Sequence, residues 1–304
     1  INVDALTYAA CLKNVETVSD NPLYFFEQAD IRNREELEII FEKHKPDSIM
    51  HLAAESHVDN SIQGPRVFVE TNVLGTFNLL EVSRKYYSMR KNRDEFRFLH
   101  VSTDEVFGSL ALHSAEKFTE DTKYDPHSPY SASKASSDFL VRAWHSTYGL
   151  PVLLSNCSNN YGPWQHREKL IPTVISTALQ EKDIPVYGNG LNVRDWLHVT
   201  DHSDALFAIL KNGKIGRSYN IGGNNEKTNI EIVGLICSAL DNLRPRHSGH
   251  YSELIAYVKD RPGHDLRYAI DNTRILNEIE WKPKIDLVAG LNATVEWYLQ
   301  SAAL

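Results

Sequence analysis

Two side chains that could form a general base, Tyr130 and Lys134, stand four residues apart in the segment YSASK. On a helix this spacing places both on one face, so the ammonium lies close to the phenol. A free tyrosine has a pKa of about 10, and a neighbouring cation favours its phenolate, which brings the base toward neutral pH. A solvated pair on a helix surface has the same spacing, so the pattern alone leaves both interpretations open.

Three further reactive side chains, Thr103, Asp104 and Glu105, follow the apolar run FRFLHVS. Two neighbouring carboxyl groups can act as acid and base when their environments separate their pKa values. A solvated acidic turn is the alternative interpretation. Because binding alone requires no acid and base, the combination of this triplet with YSASK favours an enzyme.

The composition is that of a globular protein, in which 304 residues, 42% of them hydrophobic, could form one large domain or two unequal ones. The net charge of -8, without any Lys/Arg run longer than two, argues against a nucleic-acid partner. No apolar stretch approaches the ~18 residues of a membrane span, so no membrane partner is expected. Cys11, Cys157 and Cys237 are too far apart for a disulfide framework or a CxxC site, which favours a reducing cytoplasm. No metal site is predicted, since His247 and His250 lack matched carboxylate or cysteine partners.

Short apolar runs alternate with amphipathic ones up to about Pro163, which predicts an α/β fold with a doubly wound parallel sheet. The predicted strands are Asp47–Ala54, Phe96–Thr103 and Pro151–Cys157, and the predicted helices are Arg34–Lys45, Pro65–Tyr87 and Ser131–Tyr148. Ligands bind beyond the carboxyl ends of such strands. The polar residues at 55–57, 103–105 and 158–160 are therefore the functional candidates.

After Pro163 the pattern is less regular and predicts a smaller, mixed α/β lobe that binds the substrate. Its predicted elements are the helices Leu170–Glu181, Glu231–Leu243 and Val288–Leu299 and the strand Pro185–Tyr187. We expect residues 1–163 to form the first domain, rejoined by segments near 193–223. Residues 164–304 are expected to form mainly the second lobe.

Six sequence blocks give the chain a specific resemblance. Besides YSASK they are HLAAESHVD (51–59), STDEV (102–106), NCSNNYGP (156–163), RDWL (194–197) and DRPGHD (260–265). In this order they resemble the extended short-chain dehydrogenase/reductase family, and within it the dTDP-glucose 4,6-dehydratases. The resemblance implies a Rossmann fold that binds NAD, and a lyase that removes water from a nucleotide sugar in the biosynthesis of deoxysugars for polysaccharides.

The resemblance also implies roles for the reactive side chains. Tyr130, assisted by Lys134, would remove the proton of the C4 hydroxyl while hydride passes to NAD, and Thr103 would bond the same oxygen. The C4 ketone acidifies the C5 hydrogen, which Glu105 would remove while Asp104 protonates the departing C6 oxygen. Hydride would then return to C6, so NAD is held and not consumed.

The cofactor contacts implied by the resemblance lie mostly in the first half of the chain. Asp4 ends an apparent strand, where it could accept the adenosine ribose hydroxyls and disfavour the extra phosphate of NADP. The full set is Asp4, Ala5, Leu6, Thr7, Asp30, Ile31, Leu52, Ala53, Ala54, Ser56, Thr71, Tyr130, Lys134 and Asn160. As a strand end, Leu52 to Ala54 are expected to be buried in any protein.

The contacts to the nucleotide sugar, dTDP-glucose, are implied for the later blocks. Arginines at 194 and 261 suit bidentate recognition of phosphate. The set is His57, Thr103, Asp104, Glu105, Asn159, Lys169, Leu170, Pro185, Val186, Tyr187, Arg194, Asn229, Arg261 and His264. For a single member of the later set, a surface salt bridge is the alternative.

One element of the family is absent from the sequence. The family begins with a strand and a GxxGxxG turn, whereas Ile1-Asn2-Val3-Asp4 resembles the end of the second strand. We therefore expect roughly thirty further residues upstream, the size of one strand-helix unit. The chain also stops sooner than the family's usual C-terminus.

Three other functions remain open from sequence alone. A UDP-hexose dehydratase would differ by one methyl group of the base, which discriminates by only about 1–3 kcal/mol. A nucleotide-sugar epimerase would share the fold, although epimerases usually lack the adjacent carboxyl groups. A non-catalytic nucleotide-sugar-binding scaffold would explain the absent glycine turn. A homodimer is expected through the helices Pro65–Tyr87 and Ser131–Tyr148, as in related enzymes.

Overall fold

The computed structural model describes residues 1–301 and shows an α/β fold, as the sequence predicts. The strands are β1 Asn2–Asp4, β2 Phe26–Gln28, β3 Ser48–His51, β4 Arg97–Thr103, β5 Val152–Cys157, β6 Asn159–Tyr161, β7 Ile184–Tyr187, β8 Val193–His198, β9 Ser218–Ile221, β10 Glu226–Thr228 and β11 Ile255–Val258. The α-helices are α1 Glu16–Ser19, α2 Arg34–His44, α3 Val58–Gln63, α4 Pro65–Phe68, α5 Thr76–Met89, α6 Pro129–Tyr148, α7 Leu170–Leu179, α8 Val199–Asn212, α9 Asn229–Leu243, α10 Thr273–Ile279 and α11 Leu287–Gln300. No helix within residues 1–301 has both the length and the apolar character needed to cross a membrane.

The chain divides into two compact units that interleave along the sequence. Unit 1 contains Ile1–Ser102, Ser128–Ser155 and Ile209–Ser218, and unit 2 contains Thr103–His127, Asn156–Ala208 and the chain from Tyr219 onward. The predicted division at residue 163 stays a prediction, and its last three residues lie outside the described chain.

Unit 1 contains parallel strands covered by helices. β1 pairs with β2, and β3 pairs with β4 in register Ser48 with Arg97, both pairs parallel. β3, β4 and β5 are consecutive in one sheet, and β9, which begins in this unit at Ser218, follows them. The core is formed by apolar side chains of these strands and of the helices α2, α5 and α6, among them Leu37, Phe41, Leu80, Phe98, Val141 and Leu154.

α4 and α5 form the helical stretch that the sequence predicts over Pro65–Tyr87, but with an irregular middle. Residues Val69–Gly75 form a π-helical turn that joins α4 to α5. Such turns are rare and often occur at functional sites. Gly75 lies within this turn, where a Cβ atom would stand 2.6 Å from the side chain of Ile31, so only glycine allows this approach.

The strand predicted to reach Ala54 ends at His51, so one expectation was wrong. Leu52 is 55% exposed and Ala53 is also exposed, whereas a strand end buried in the core was expected. The physical reason is that these residues leave the sheet and form part of the wall of an open pocket, which is described below.

α6 begins two residues earlier than predicted because of its N-terminal cap. Ser128 accepts a hydrogen bond from the Ser131 backbone N–H at 3.0 Å, and the Ser131 hydroxyl accepts one from the Ser128 N–H at 3.0 Å. Pro129 occupies the first helical position, which its fixed φ favours. The helix ends at Gly149, whose φ of 68° is the left-handed conformation that glycine adopts without strain.

Unit 2 has a separate core. β8 lies between β10, to which it is antiparallel, and β6, to which it is parallel, and β7 pairs in parallel with β11. α9 packs against α7 and α11. Their buried faces meet in one apolar cluster that includes Val174, Ile184, Ile236, Leu240 and Val295.

Removing the α6 cap should destabilise the protein more than removing an exposed cap. Ser128→Ala leaves the buried Ser131 backbone N–H without its side-chain acceptor, and we expect a loss of about 2 kcal/mol in the free energy of unfolding. Asp286 caps α11 at an exposed position, where water can replace its side chain, so Asp286→Ala should cost about 0.5 kcal/mol. Urea unfolding measures both, and equal losses would contradict the buried cap.

Candidate active site

Tyr130 and Lys134 lie in the first two turns of α6 and are both buried in unit 1. The Lys134 ammonium donates a hydrogen bond to the Val101 carbonyl at the end of β4, at 2.8 Å. The Tyr130 ring lies edge-on to Phe68, with 6.4 Å between ring centroids. Because both side chains are buried, the solvated helix-surface pair does not describe this structure. A buried cation beside a phenol is the arrangement that favours a phenolate base.

Asn72, which sequence reasoning missed, connects this helix to the loop after β3. Its amide nitrogen donates to the Ser133 hydroxyl at 2.8 Å and to the Glu55 carbonyl at 3.0 Å, and its oxygen accepts from the Glu55 N–H at 2.8 Å. Asn72 is fully buried in the π-helical turn. The only sequence signal was an asparagine within an otherwise amphipathic helical run.

A pocket of about 430 Å³ lies at the carboxyl ends of β1 and β3 in unit 1. Of the predicted cofactor residues, it is lined by Asp4, Ala5, Thr7, Asp30, Ile31, Leu52, Ala53, Ala54 and Thr71. It is also lined by residues that were not predicted, namely Asn2, Val3, Ala9, Ala10, Ala29, Arg32 and Glu55. Leu6 and Ser56 belong to its loops without lining it, Tyr130 and Lys134 lie on α6, and Asn160 lies in unit 2.

The polar groups of this pocket suit a dinucleotide. Asp4 is exposed, and its Oδ1 accepts a hydrogen bond from the Leu6 N–H at 2.7 Å, which holds the loop in place. Asp30 forms an ion pair with Arg32 at 2.6 Å, and this hydrogen-bonded partner lowers the pKa of Asp30. The carboxylates can accept hydrogen bonds from ribose hydroxyls, and the alanines of the wall allow close approach of a ligand. The residues present therefore fit NAD.

His57, predicted to approach the sugar, lies at the start of α3 in unit 1. Its Nδ1 accepts a hydrogen bond from the Asn60 N–H at 3.4 Å, so the ring also caps the helix. Asn60 is in turn bonded to the Tyr8 hydroxyl at 3.2 Å. These contacts give His57 a structural function in addition to the predicted one.

Thr103, Asp104 and Glu105 lie in unit 2, where a short 3₁₀ helix follows β4. The Thr103 hydroxyl caps this helix by accepting from the Glu105 N–H at 3.2 Å, and the amide of Asn156 donates to the Thr103 carbonyl at 3.1 Å. The helix ends at Gly108, whose φ is 85° and where a Cβ atom would stand 2.5 Å from the Asp125 carbonyl oxygen. Backbone contacts therefore fix the position of Thr103, Asp104 and Glu105 at both ends of the short helix.

The two adjacent carboxyl groups have different electrostatic environments. Burial raises the pKa of Asp104 well above its usual value, and the neighbouring Glu105 raises it further against the opposing effect of Arg194. Burial also raises the pKa of Glu105, but three cations, Arg261, Arg194 and Lys169, oppose this effect. Asp104 is thus held toward its protonated form, while Glu105 is surrounded by charges that favour its carboxylate. One can donate a proton and the other can accept one.

Arg194 is held rigidly in β8. Its guanidinium donates to the carbonyls of Val193 at 2.7 Å and Asp265 at 3.0 Å, and it lies 4.1 Å from the centre of the Tyr268 ring. The Tyr268 hydroxyl donates to the Asp265 carboxylate at 2.6 Å, and His127 contacts the same carboxylate at 2.6 Å. Tyr268 and His127 were not predicted, because neither stands in the polar segments that follow the strands.

The remaining predicted substrate residues all lie in unit 2. Tyr187 and His264 are neighbours, with 6.4 Å between ring centroids, and His264 contacts the Asp260 carboxylate at 2.7 Å. Pro185 and Tyr187 face outward on β7, whereas the Val186 side chain is buried in the apolar cluster. Asn159 lies in β6, Lys169 and Leu170 at the start of α7, Asn229 at the start of α9, and Arg261 beside Asp260. The structure thus places these residues in one unit together with Asp104 and Glu105.

Comparisons with known proteins find similar proteins that match almost the whole chain. The family described as GDP-mannose 4,6 dehydratase matches residues 1–294. The dTDP-glucose 4,6-dehydratase of Haemophilus influenzae is 53% identical over 304 residues, which cover 98% of this chain and 90% of the relative. The dTDP-glucose 4,6-dehydratase 1 of Escherichia coli is 53% identical over 310 residues, which cover 99% of this chain and 86% of the relative.

Solved structures show the same fold. The dTDP-glucose 4,6-dehydratase of Bacillus anthracis, in complex with NAD, has a TM-score of 0.86 at 45% identity and covers 98% of this chain and 87% of its own. The UDP-glucose 4-epimerase of Thermotoga maritima, solved with UDP-glucose, has a TM-score of 0.84 at 26% identity, with coverage of 98% and 90%. Sequence identity is thus higher to the dehydratase than to the epimerase, although both share the fold.

Replacing Asp104 with asparagine should stabilise the folded chain above mildly acidic pH. The raised pKa of folded Asp104 means that the unfolded chain loses this proton first, near pH 3.8, so wild-type stability falls as pH rises through the window above that value. Asp104→Asn abolishes this loss, and we expect a gain on the order of 1 kcal/mol at pH 8.

Thermal unfolding between pH 4 and pH 8 measures this difference. The stabilities of the wild type and of Asp104→Asn should converge toward pH 4. Asp121→Asn is the matched control, because its side chain is 86% exposed and no comparable window is expected. A gain that does not depend on pH, or a loss of stability at pH 8, would contradict the raised pKa.

Proposed function

The chain belongs to the GDP-mannose 4,6-dehydratase family, and from this membership we propose that it is an NAD-dependent enzyme that converts dTDP-glucose into dTDP-4-keto-6-deoxyglucose. The observation that carries the proposal is the pair Asp104 and Glu105, adjacent in sequence, in which burial raises both pKa values but three cations oppose this rise at Glu105. Loss of water across a carbon–carbon bond needs one acid and one base at the same time. The identity of 53% to dTDP-glucose 4,6-dehydratases supports the same reaction.

In the proposed mechanism each protein group moves one proton at one atom. Tyr130 accepts the proton of the C4 hydroxyl, with Lys134 stabilising the phenolate and Thr103 bonding the same oxygen. Glu105 removes the C5 proton, which the new C4 ketone has acidified, while Asp104 donates its proton to the C6 oxygen, and water leaves. Glu105 then returns a proton to C5. NAD, when bound, would supply the hydride acceptor for C4 and the hydride donor for C6, so no other oxidant would be required.

We propose that NAD binds in the pocket of unit 1, which is lined by Asp4, Asp30 and Leu52–Ala54. Asp4 binds the adenosine ribose hydroxyls, and its negative charge opposes the 2′-phosphate of NADP. Asn160 and Ser56 are proposed to contact the nicotinamide end, as the family resemblance implies. The NAD complex of the Bacillus anthracis relative supports the choice of cofactor.

The proposed nucleotide site contains three cations that act on Glu105. Arg194, Arg261 and Lys169 are the cations that act on Glu105, so their positive field also suits a diphosphate. Burial and the neighbouring Arg261 lower the pKa of His264, which is therefore a neutral hydrogen-bonding partner at pH 7. Pro185 and Tyr187 are proposed to frame the base, with His57 and Asn159 at the sugar, and Leu170 and Asn229 at the nucleotide.

An epimerase is the second candidate that shares the fold. It needs only transient oxidation at one carbon and no acid for a leaving hydroxyl. The raised pKa of Asp104 has a direct use in a dehydratase and none in that reaction. We therefore propose the dehydratase.

Substrate assays test the proposed function directly. The protein is incubated with dTDP-glucose or UDP-glucose, each with and without added NAD, and the alkali-induced absorbance of a 4-keto-6-deoxy product is followed. We expect product from dTDP-glucose at the higher kcat/KM. A higher kcat/KM with UDP-glucose would reassign the base, and a C4 epimer as the product would reassign the reaction.

Glu105→Gln should reduce product formation by 10²- to 10⁴-fold, the usual effect of losing a general base. Binding of NAD and of dTDP, measured by calorimetry, should change less than threefold, because neither contact involves the proton transfer. The matched control is Glu116→Gln, an exposed carboxyl in the same unit. Turnover of the Glu105 variant within tenfold of wild type would refute the assigned base.

A homodimer in the cytoplasm completes the proposal. The helical stretch from Pro65 and the helix α6 expose large apolar side chains, with Val69 at 50%, Leu74 at 52% and Phe139 at 56% exposure. A paired copy would remove this surface from water. Cys11, Cys157 and Cys237 are far apart in sequence and form no disulfide in the described chain, which supports a reducing compartment.

Phe139→Arg should convert the dimer into a monomer, because the charge would be buried at the proposed interface. Light scattering after gel filtration measures the mass. Val288→Arg is the matched control, since Val288 is 49% exposed on α11 in unit 2 and should leave the dimer intact. A monomeric wild type, or a Phe139→Arg dimer, would contradict this interface.

A further inference from the structure

A fully buried carboxylate, Asp138, lies one helical turn beyond Lys134 on α6. Tyr130, Lys134 and Asp138 follow one another at intervals of four residues, so the three side chains form a line on one face of the helix. Asp138 has 0% exposure and Lys134 has 4%. The proposed mechanism gives Asp138 no role, although burying a charge without a purpose is costly.

The end of β4 holds both charged groups. Lys134 donates to the Val101 carbonyl, and the residues on either side of Val101 point to Asp138. The Ser102 hydroxyl donates to Asp138 Oδ2 at 2.8 Å, and the His100 Nε2 lies 3.2 Å from Asp138 Oδ1. Asp138 and Lys134 are thus anchored to three consecutive residues of one strand.

The neighbouring histidines do not supply a charge. Burial lowers the pKa of His100, and the positive charge of Lys134 lowers it further against the effect of Asp138. Burial also lowers the pKa of His51, whose ring centroid lies 5.0 Å from that of His100. The other described neighbours from the packed elements, Thr76, Ser133 and Ser137, are uncharged. Apart from these histidines, the described cluster thus contains one basic side chain, Lys134, one acidic side chain, Asp138, and the phenol of Tyr130.

A buried lysine keeps its proton only if a nearby negative charge compensates for the loss of water. If Lys134 lost its proton, it would no longer favour the Tyr130 phenolate. We propose that Asp138 is a positioning residue that keeps Lys134 protonated, with Ser102 and His100 orienting its carboxylate. The reaction that this base serves rests on the proposed function, whereas the charge relation among the three residues does not.

Two other roles for Asp138 predict different results. A purely structural clip between α6 and β4 would affect stability and rate but leave the pKa of Tyr130 unchanged. A direct effect of the Asp138 charge on Tyr130 would raise the pKa of the phenol, so that removing the charge would lower it. The proposal predicts the opposite direction, because Tyr130 is one helical turn from Lys134 but two turns from Asp138, so that loss of the Lys134 charge outweighs the direct effect.

The test is the titration of Tyr130 in Asp138→Asn, an isosteric change. Near-ultraviolet absorbance of tyrosinate is followed against pH, and the matching Tyr130→Phe protein is subtracted to isolate this residue. We expect the pKa of Tyr130 to rise by about one unit or more in Asp138→Asn. An unchanged or a lowered pKa would overturn the proposal. This readout needs no substrate, so it remains valid if the proposed reaction is wrong.

Kinetics give an independent readout. The acidic limb of the pH profile of kcat/KM should move to higher pH by the same amount in Asp138→Asn and return toward wild type in Asp138→Glu, which restores the charge. In a Lys134→Met background, Asp138→Asn should produce no further upward shift, because its effect passes through Lys134. An equal upward shift in that background would refute the coupling.

Two further variants distinguish a shift of the acidic limb of the pH profile from an effect of lost stability. Asp201→Asn is the matched control, because Asp201 is 2% exposed and bonds only to the backbone N–H groups of Lys284 and Ile285 among the contacts described. The Asp201→Asn variant should leave the acidic limb of the pH profile of kcat/KM unchanged. If Asp138→Asn does not fold, Ser102→Ala, which keeps the charge but removes one hydrogen bond, should move the limb upward by a smaller amount. No movement in Ser102→Ala would then count against the proposal.

Discussion

The free-energy cost of taking charged side chains out of water is the constraint on which the chemistry of this chain depends. In unit 1 the buried ammonium of Lys134 is bonded to the Val101 carbonyl at the end of β4. In unit 2 the buried carboxyl of Asp104 receives little compensation, since in the described chain its Oδ2 lacks a hydrogen-bond partner. The cost of removing the Lys134 ammonium from water is thus offset by a hydrogen bond. The corresponding cost for the Oδ2 atom of an Asp104 carboxylate is not offset in this way, which favours the protonated form of this side chain.

This difference explains why two adjacent acids can behave differently. Asp104 and Glu105 share one short helix, but three cations lower the pKa of Glu105, whereas at Asp104 one cation, Arg194, and a hydrogen bond from Thr103 oppose the effect of burial. Asp195, whose own pKa is raised to about 6, adds a further negative neighbour to Asp104. The side chain that is most useful as an acid is therefore also a source of instability, as is common at active sites.

The sequence predicted the parts of this structure that depend on local pattern. Apolar runs predicted β4, β5 and the long helices, and the six blocks of resemblance predicted the family that the comparisons show. It did not predict Asn72, Tyr268 or the buried partners of Asp138, because their roles arise from residues far apart in the chain. Leu52 was expected to be buried, since an apolar residue after a strand carries no local sign that it will line a pocket. The assignment of individual site residues stays a prediction.

The interleaving of the two units has a consequence for the synthesis of the chain. Unit 1 takes its last segment from Ile209–Ser218, so its contacts cannot be complete until the chain has been synthesised through Ser218. Unit 2 begins at Thr103, and its last segment, from Tyr219 onward, is synthesised later still. Contacts between segments so distant in sequence close large loops and form slowly. The order of translation therefore completes neither unit before residue 218, and we expect the nascent chain to expose apolar strands for longer than a chain with sequential domains.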